Sequence, residues 1–525
     1  MNGSLLVAGT TSDAGKSLIT AGICRWLARQ GVRVAPFKAQ NMSNNSMVVP
    51  GVGSDPNDRG AGGAEIGRAQ VMQAQAARAV PEPAMNPVLL KPGSDRSSQV
   101  VLMGKAIGDW DAQSYQELKP RLLEAVLEAY RDLRSRYDVV ICEGAGSPTE
   151  INLRAGDLVN MGLARPLGLP VVVVGDIDRG GVFAAFHGTV ALLDAADQAL
   201  VSGFIVNKFR GDPALLTPGL DQIRGFTGRP VLGVVPWLPG LRLDAEDALP
   251  IEGYPVSTAP GADTAADAGA PHLGNGSLRV AVIRFPRISN FTDVDALAIE
   301  PGVEVEFTAS PAAVASADLV VLPGTKATVA DLAWLRERGL AGPLARRAAE
   351  GRPILGICGG YQMLGTELDD DVESRAGRVR GLGLLPVVTR FQPRKTLAKS
   401  AGFGLGEPVA GYEIHAGQVE VRGGEAWFTD SSGAALEGCR QGAVWGTIWH
   451  GALECDGFRR AFLREVAAGC GFAFTPDPAT SFEAEREAQL DRLGDAVEEF
   501  VDTAALWRLI EHGPTPGLPG LPPGA

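Results

Sequence analysis

The sequence predicts two α/β domains in one chain. The first is a doubly wound parallel sheet with a phosphate-binding loop; the second is an open, flavodoxin-like sheet with a nucleophile at a sharp turn. Three observations carry this. Continuous β-branched runs alternate with helix-like segments twice over, as strands buried on both faces require. A stretch poor in large apolar residues separates the two series. Each series also contains a glycine-rich strand-to-helix turn loaded with chemistry.

In the first series SLLVAG (4–9) precedes a helix over about 16–30. VRVAPFK (32–38), YDVVICEGAG (137–146), LPVVVVGDID (169–178), VSGFIVNKF (201–209) and RPVLGVVP (229–236) read as further strands. Residues 251–277 are rich in Ala, Gly, Pro and Asp and read as a linker between a domain over 1–250 and one over 278–475. LRVAVIRF (278–285), VEVEFTA (303–309), ADLVVLPG (317–324), RPILGICGG (352–360) and GAVWGTIWHG (442–451) supply the second sheet. Residues 476–525 form a helical tail whose end, GPTPGLPGLPPGA, is expected to fray.

The chain has 525 residues, 45% of them hydrophobic and 21% charged, enough for large cores rather than disorder. Its net charge of −13 argues against a nucleic-acid binder, whose footprint is basic. No apolar run reaches the ~20 residues of a membrane span, and the N-terminus lacks the basic region of a signal peptide. Six cysteines without a CxxC pair suit reduced thiols, so the cytoplasm is the expected compartment.

Gly9-Thr-Thr-Ser-Asp-Ala-Gly15-Lys16-Ser17 follows a strand and opens a helix, the setting of a phosphate loop, with one residue more than the usual spacing. Its backbone N–H groups and helix terminus favour an anion. Lys16 would reach the outer phosphates and Ser17 would ligate Mg²⁺. Glu143 closes the neighbouring strand, where a metal-binding acid belongs. Glu65, Asp176 and Asp178 are further carboxylates, and Lys38 stands in an amide-rich run at the ligand-binding edge of the sheet.

In the second half Gly356-Ile357-Cys358-Gly359-Gly360 has the form of a nucleophile elbow. A helix N-terminus favours the thiolate of Cys358. The Gly359 N–H is one oxyanion donor and Gly324, in the loop LPGTK, the best second. Of five histidines, His450 at a strand end is the best-placed base, followed by His415.

Here the sequence resembles a known family. VAGTTSDAGKS, APFKAQNMSNNS, EIGRAQ, ICEGAGSP, DIDRGG and NKFRGD resemble the synthetase half of the cobyric acid synthases. LPGTKAT, GICGGYQMLG, GYEIHAG and the WHG segment resemble their glutamine amidotransferase half. The phosphate loop is also similar to that of dethiobiotin synthetase. The resemblance implies ATP and Mg²⁺, with Ser17, Glu65 and Glu143 as metal ligands, Gly15, Lys16 and Lys38 at the phosphates and Asn207 at the adenine. It implies glutamine hydrolysis at Cys358 and His450. The ammonia would amidate the b, d, e and g carboxylates of adenosylcobyrinic acid a,c-diamide, giving adenosylcobyric acid. The carboxylate that orients the histidine in many such amidases is missing, since Ala452 follows Gly451; Glu454 is a weak candidate, and the third role stays unassigned. Phe285–Asp293 is placed at the domain interface. Monomer and homodimer stay open. The competing readings are a cobyrinic acid a,c-diamide synthase and a non-catalytic ATP switch with an inactive amidase module.

Overall fold

The computed structural model describes residues 3–51, 62–243 and 277–524. All but the last residue of the expected linker, 251–277, lies outside these.

The N-terminal sheet is built from β1 (Gly3–Gly9), β2 (Val34–Phe37), β3 (Val139–Glu143), β4 (Val171–Asp176), β5 (Val201–Phe209) and β6 (Val231–Pro236). Its order is β6-β5-β4-β1-β3-β2, and every neighbour pair is parallel. Full burial of β1, β3 and β4 explains their unbroken Val, Leu and Ile runs. Because β1 is central, the loop leaving it opens onto the ends of both β3 and β4. Helix α1 (Lys16–Arg29) follows that loop. Helix α2 (Arg68–Ala76) packs beside α1, and all its residues but Gln75 are buried.

The C-terminal sheet comprises β7 (Leu278–Ile283), β8 (Val303–Thr308), β9 (Leu319–Leu322), β10 (Ile354–Ile357), β11 (Cys439–Gln441) and β12 (Val444–Thr447). The order is β8-β7-β9-β10-β12-β11, the doubly wound 2-1-3-4-5 pattern with one antiparallel edge strand. Helix α3 (Gly359–Leu364) leaves β10. A long antiparallel ribbon, Val387–Gly404 with Glu407–Val421, reaches from this domain to the first. There Val48 packs on Tyr412 and Ile414.

The tail differs from the expectation of a frayed end. Helices α4 (Phe482–Phe500) and α5 (Thr503–His512) return to the N-terminal domain. Leu490, Leu493, Val497, Leu506 and Leu509 share a core cluster with Leu5, Val7 and Leu27. At Gly22 of α1 a Cβ would stand 2.7 Å from Leu493 O, so glycine lets these helices approach closely. Arg25, 2% exposed, is held by Glu487 and Asp491 of α4. The terminal segment is tied down as well: Gln198 exchanges two hydrogen bonds with the Leu521 backbone, and Arg229 donates to Pro519 O. Pro and Gly there produce irregular backbone, but Leu521 is buried and the carbonyls of Pro519 and Leu521 have partners.

Candidate active sites

The loop between β1 and α1 is closed by Gly15 at φ +93°, where a Cβ would lie 2.1 Å from Asn207 Nδ2. Only glycine satisfies both constraints. Lys16 folds over the loop and donates to Thr11 O (2.8 Å), Ser12 O (3.2 Å) and Gly146 O (3.1 Å). Parallel pairing sets Val7 of β1 beside Glu143 of β3, which brings the acid to the loop. Ser17 Oγ donates to Glu143 Oε1 at 2.7 Å, and Lys38 Nζ stands 3.0 Å from the same oxygen. Gln73 Nε2, from α2, donates to Glu143 Oε2 at 2.5 Å. Burial alone would raise the Glu143 carboxyl; Lys38, with the hydrogen bonds from Gln73 and Ser17, holds it below the ordinary range.

The structure thus brings Lys16, Ser17, Lys38 and Glu143 together. Asn207 lies against the same loop, its Nδ2 donating to Ala14 O at 2.9 Å. Lys208, which sequence reasoning passed over, bridges Asp13 O (2.7 Å) and Asp176 Oδ2 (2.8 Å). That spends Asp176 on a local ion pair. Asp178 pairs with Arg210 at 3.2 Å.

Glu65 makes its contacts elsewhere than with Ser17 or Glu143. Its strand, Ala64–Gly67, pairs antiparallel with Ser46–Val49 and faces the other domain. Its Oε1 accepts from Lys91 Nζ (2.5 Å) and Ser46 Oγ (2.8 Å); its Oε2 lies 3.5 Å from Lys395 of the C-terminal ribbon.

The second site forms where β10 ends. Cys358 adopts φ +51° and ψ −111°, a strained conformation for a side-chain-bearing residue. The turn is tight: a Cβ on Gly360 would fall 1.9 Å from Leu322 O, and one on Gly356 would fall 2.6 Å from Leu364 Cδ1. Gly359 packs against Thr325, and Gly324 lies against His450 and Ser289. His450 lines the same cavity as Cys358, whose Sγ lies 3.9 Å from Ile414 O. His415 lines that cavity too, but its ring nitrogens are taken by Gly417 O (2.8 Å) and Glu413 Oε2 (3.0 Å).

The unassigned third group is Asp293. Its Oδ2 lies 2.7 Å from His450 Nδ1, and its Oδ1 accepts the Gly451 N–H at 2.9 Å. Both side chains are 2% exposed. Burial would lower the imidazole pKa; Asp293, then Cys358, overcome it and raise it to about 10. Glu454 instead accepts from Arg68 Nη2 at 2.5 Å. The signal for Asp293 was an acid in the loop after the first strand of an open sheet. Its 157-residue separation from His450 hid the pairing.

The wall of the Cys358 cavity also carries Lys91, Lys326, Lys395 and Glu373. Lys326 is paired with Glu373 at 2.7 Å and Lys91 with Glu65. Among the described residues Lys395 has only the 3.5 Å contact to Glu65, and burial lowers its pKa to about 8 despite that carboxylate.

A phosphate-loop domain joined to a cysteine–histidine–aspartate site on a flavodoxin-like sheet defines a two-domain glutamine amidotransferase with a nucleotide-binding partner half. Family models agree: residues 5–251 match the CobQ/CobB/MinD/ParA nucleotide binding domain, and residues 279–458 the CobB/CobQ-like glutamine amidotransferase domain. The cobyric acid synthase of Streptomyces coelicolor is 61% identical over 526 residues, covering all of both chains. Those of Frankia casuarinae and Mycolicibacterium gilvum are 58% and 57% identical, covering 100% and 99% of both chains respectively. The chain belongs to the cobyric acid synthase family, glutamine-dependent carbon–nitrogen ligases of cobalamin synthesis.

Proposed function

We propose that the protein amidates the b, d, e and g carboxylates of adenosylcobyrinic acid a,c-diamide, in the cytoplasm, using ATP and ammonia drawn from glutamine. The observation that carries this is the pairing of two intact sites in one chain, Cys358–His450–Asp293 and Lys16–Ser17–Glu143, with the sequence family above.

At the first site the Cys358 thiolate attacks the side-chain carbonyl carbon of glutamine. The Gly359 and Gly324 N–H groups receive the oxyanion. His450, oriented by Asp293, delivers its proton to the leaving nitrogen, ammonia departs, and a glutamyl thioester remains. Water, deprotonated by His450, then releases glutamate and restores the thiolate. The ammonium of Lys395, facing the cavity, suits the α-carboxylate of glutamine.

At the second site a substrate carboxylate attacks the γ-phosphorus of ATP, ADP leaves, and ammonia displaces phosphate from the acyl phosphate. Lys16 and Lys38 neutralise phosphate charge, while Gly15 keeps the loop open to the anion. The hard oxygens of Ser17 and Glu143, already 2.7 Å apart, fit Mg²⁺, which would supply charge neutralisation when bound. Asn207, beside the loop, is the proposed adenine contact. Ammonia in water is mostly ammonium, which is not a nucleophile, so a path closed to solvent between the domains serves the chemistry.

The test is product mass: four added amides support this reading, and two indicate the a,c-diamide synthase. Cys358→Ser should abolish glutamine-dependent amidation and leave ammonium-dependent amidation intact. Equal loss with both nitrogen sources in a folded protein would overturn the division of labour.

A further inference from the structure

Helix α2 touches both sites. At its start Arg68, 2% exposed, donates from Nη1 to Tyr412 Oη (2.9 Å) and from Nη2 to Glu454 Oε1 (2.5 Å). Both acceptors flank the glutaminase histidine. The Tyr412 ring stacks on His450 with centroids 5.4 Å apart, and the two backbones exchange hydrogen bonds of 2.9 and 3.0 Å. Glu454 ends the short turn Ala452–Glu454, which starts one residue past Gly451, where Asp293 is anchored. Five residues further along α2, Gln73 holds Glu143 Oε2 (2.5 Å) and Ser17 O (3.3 Å) at the phosphate loop.

Arg68 and Gln73 are separated by only ~7.5 Å of helix axis. The segment between them is buried, and its flank is gripped by Arg486, which donates to Gln75 Oε1 at 2.7 Å. A close-packed helix of this kind moves as a body. The Glu143 carboxylate is shared among Ser17, Lys38 and Gln73. With Lys38 turned toward a bound triphosphate and Ser17 and Glu143 Oε1 given to Mg²⁺, Gln73 would be the side chain that still holds Glu143 Oε2, and a shift of that carboxylate would pass to α2.

We infer that α2 is a strut through which occupation of the phosphate loop positions the His450 loop, with Arg68 as the positioning residue, so that glutamine hydrolysis responds to the acceptor site. This rests on the function proposed above. Its reach is reciprocal: a ligand held at Cys358 must strengthen nucleotide binding by the same factor.

The experiment compares glutamate release by the full-length protein with glutamine alone and with ATP, Mg²⁺ and the corrinoid acid added. Wild type should show stimulation of order tenfold, within the usual range of such couplings. In Arg68→Met and in the milder Glu454→Gln the stimulation should fall below about twofold. Their glutamine-alone rate and ammonium-dependent amidation should stay near wild type. Arg68→Lys, which keeps the charge facing Glu454 but not the two-pronged grip, should recover part of the response. An unstimulated wild type, variants that keep the full response, or variants whose glutamine-alone rate collapses with an unchanged ratio would each overturn the strut. Failure of ammonium-dependent amidation in wild type would instead count against the proposed function.

Discussion

Replacing Asp293 by Asn tests the glutaminase reading most sharply. In the native arrangement Asp293 Oδ1 accepts the Gly451 N–H while Oδ2 faces His450 Nδ1. An Asn satisfies Gly451 only with its carbonyl oxygen, which turns its NH₂ toward Nδ1. The imidazole must then accept at Nδ1 and carry its hydrogen on Nε2, leaving no lone pair for the cysteine proton. The charge that lifts the imidazole is lost as well. The rise of His450 from 6.5 to about 10 corresponds to roughly 5 kcal/mol in favour of imidazolium, with Asp293 the largest raising cause. The lost charge and the wrong tautomer together put the expected fall in rate at ~10²–10⁴. The assay is glutamate release with all substrates present, alongside amidation driven by ammonium. Glutamine-dependent turnover should fall by at least ~10², with ammonium-dependent turnover unchanged. Retention of glutaminase within tenfold of wild type would refute the role of Asp293.

Three further outcomes follow from the structure. Lys395→Met should raise KM for glutamine about tenfold with kcat little changed, because a charge-assisted carboxylate contact is worth ~1.5–3 kcal/mol; steady-state kinetics at fixed ATP and corrinoid checks it. Burial raises Glu437 to about 7 despite hydrogen bonds from Thr447 and the Ile448 N–H. The folded state therefore holds that proton more tightly than the unfolded state, and stability falls as pH rises from about 4.5 through 7. Glu437→Gln should unfold several degrees above wild type at pH 8, for ~2 kcal/mol after discounting partial exposure, and show no advantage at pH 4.5. Truncation after residue 476 should expose the α1 face and destabilise the nucleotide-binding half in thermal melts, while the isolated tail stays unfolded.

Much of the fold was legible because parallel strands covered on both faces must be apolar throughout, as β1, β3 and β4 are. The phosphate loop and the elbow were legible because backbone geometry demands glycine at 15, 356 and 360. The ribbon 387–421 was not, since its exposed and half-buried residues produce no apolar run. Asp293 and Glu65 show the same limit in side chains. An acid declares its type in the sequence, but its partner is set by which sheet edges the tertiary fold brings together. Asp293 found a histidine in its own domain, and Glu65 found a lysine from the other.

The return of α4 and α5 has a consequence for biogenesis. The half that begins the polypeptide is finished by the half that ends it, so a ribosome releases the whole amidase module before the first module can cover its apolar flank. Leu27 and Ile23 stay open to chaperones or stray neighbours until the last fifty residues emerge. A fusion partner at the C-terminus also meets an obstacle, because the Gly524 N–H is already bonded to Ala191 O.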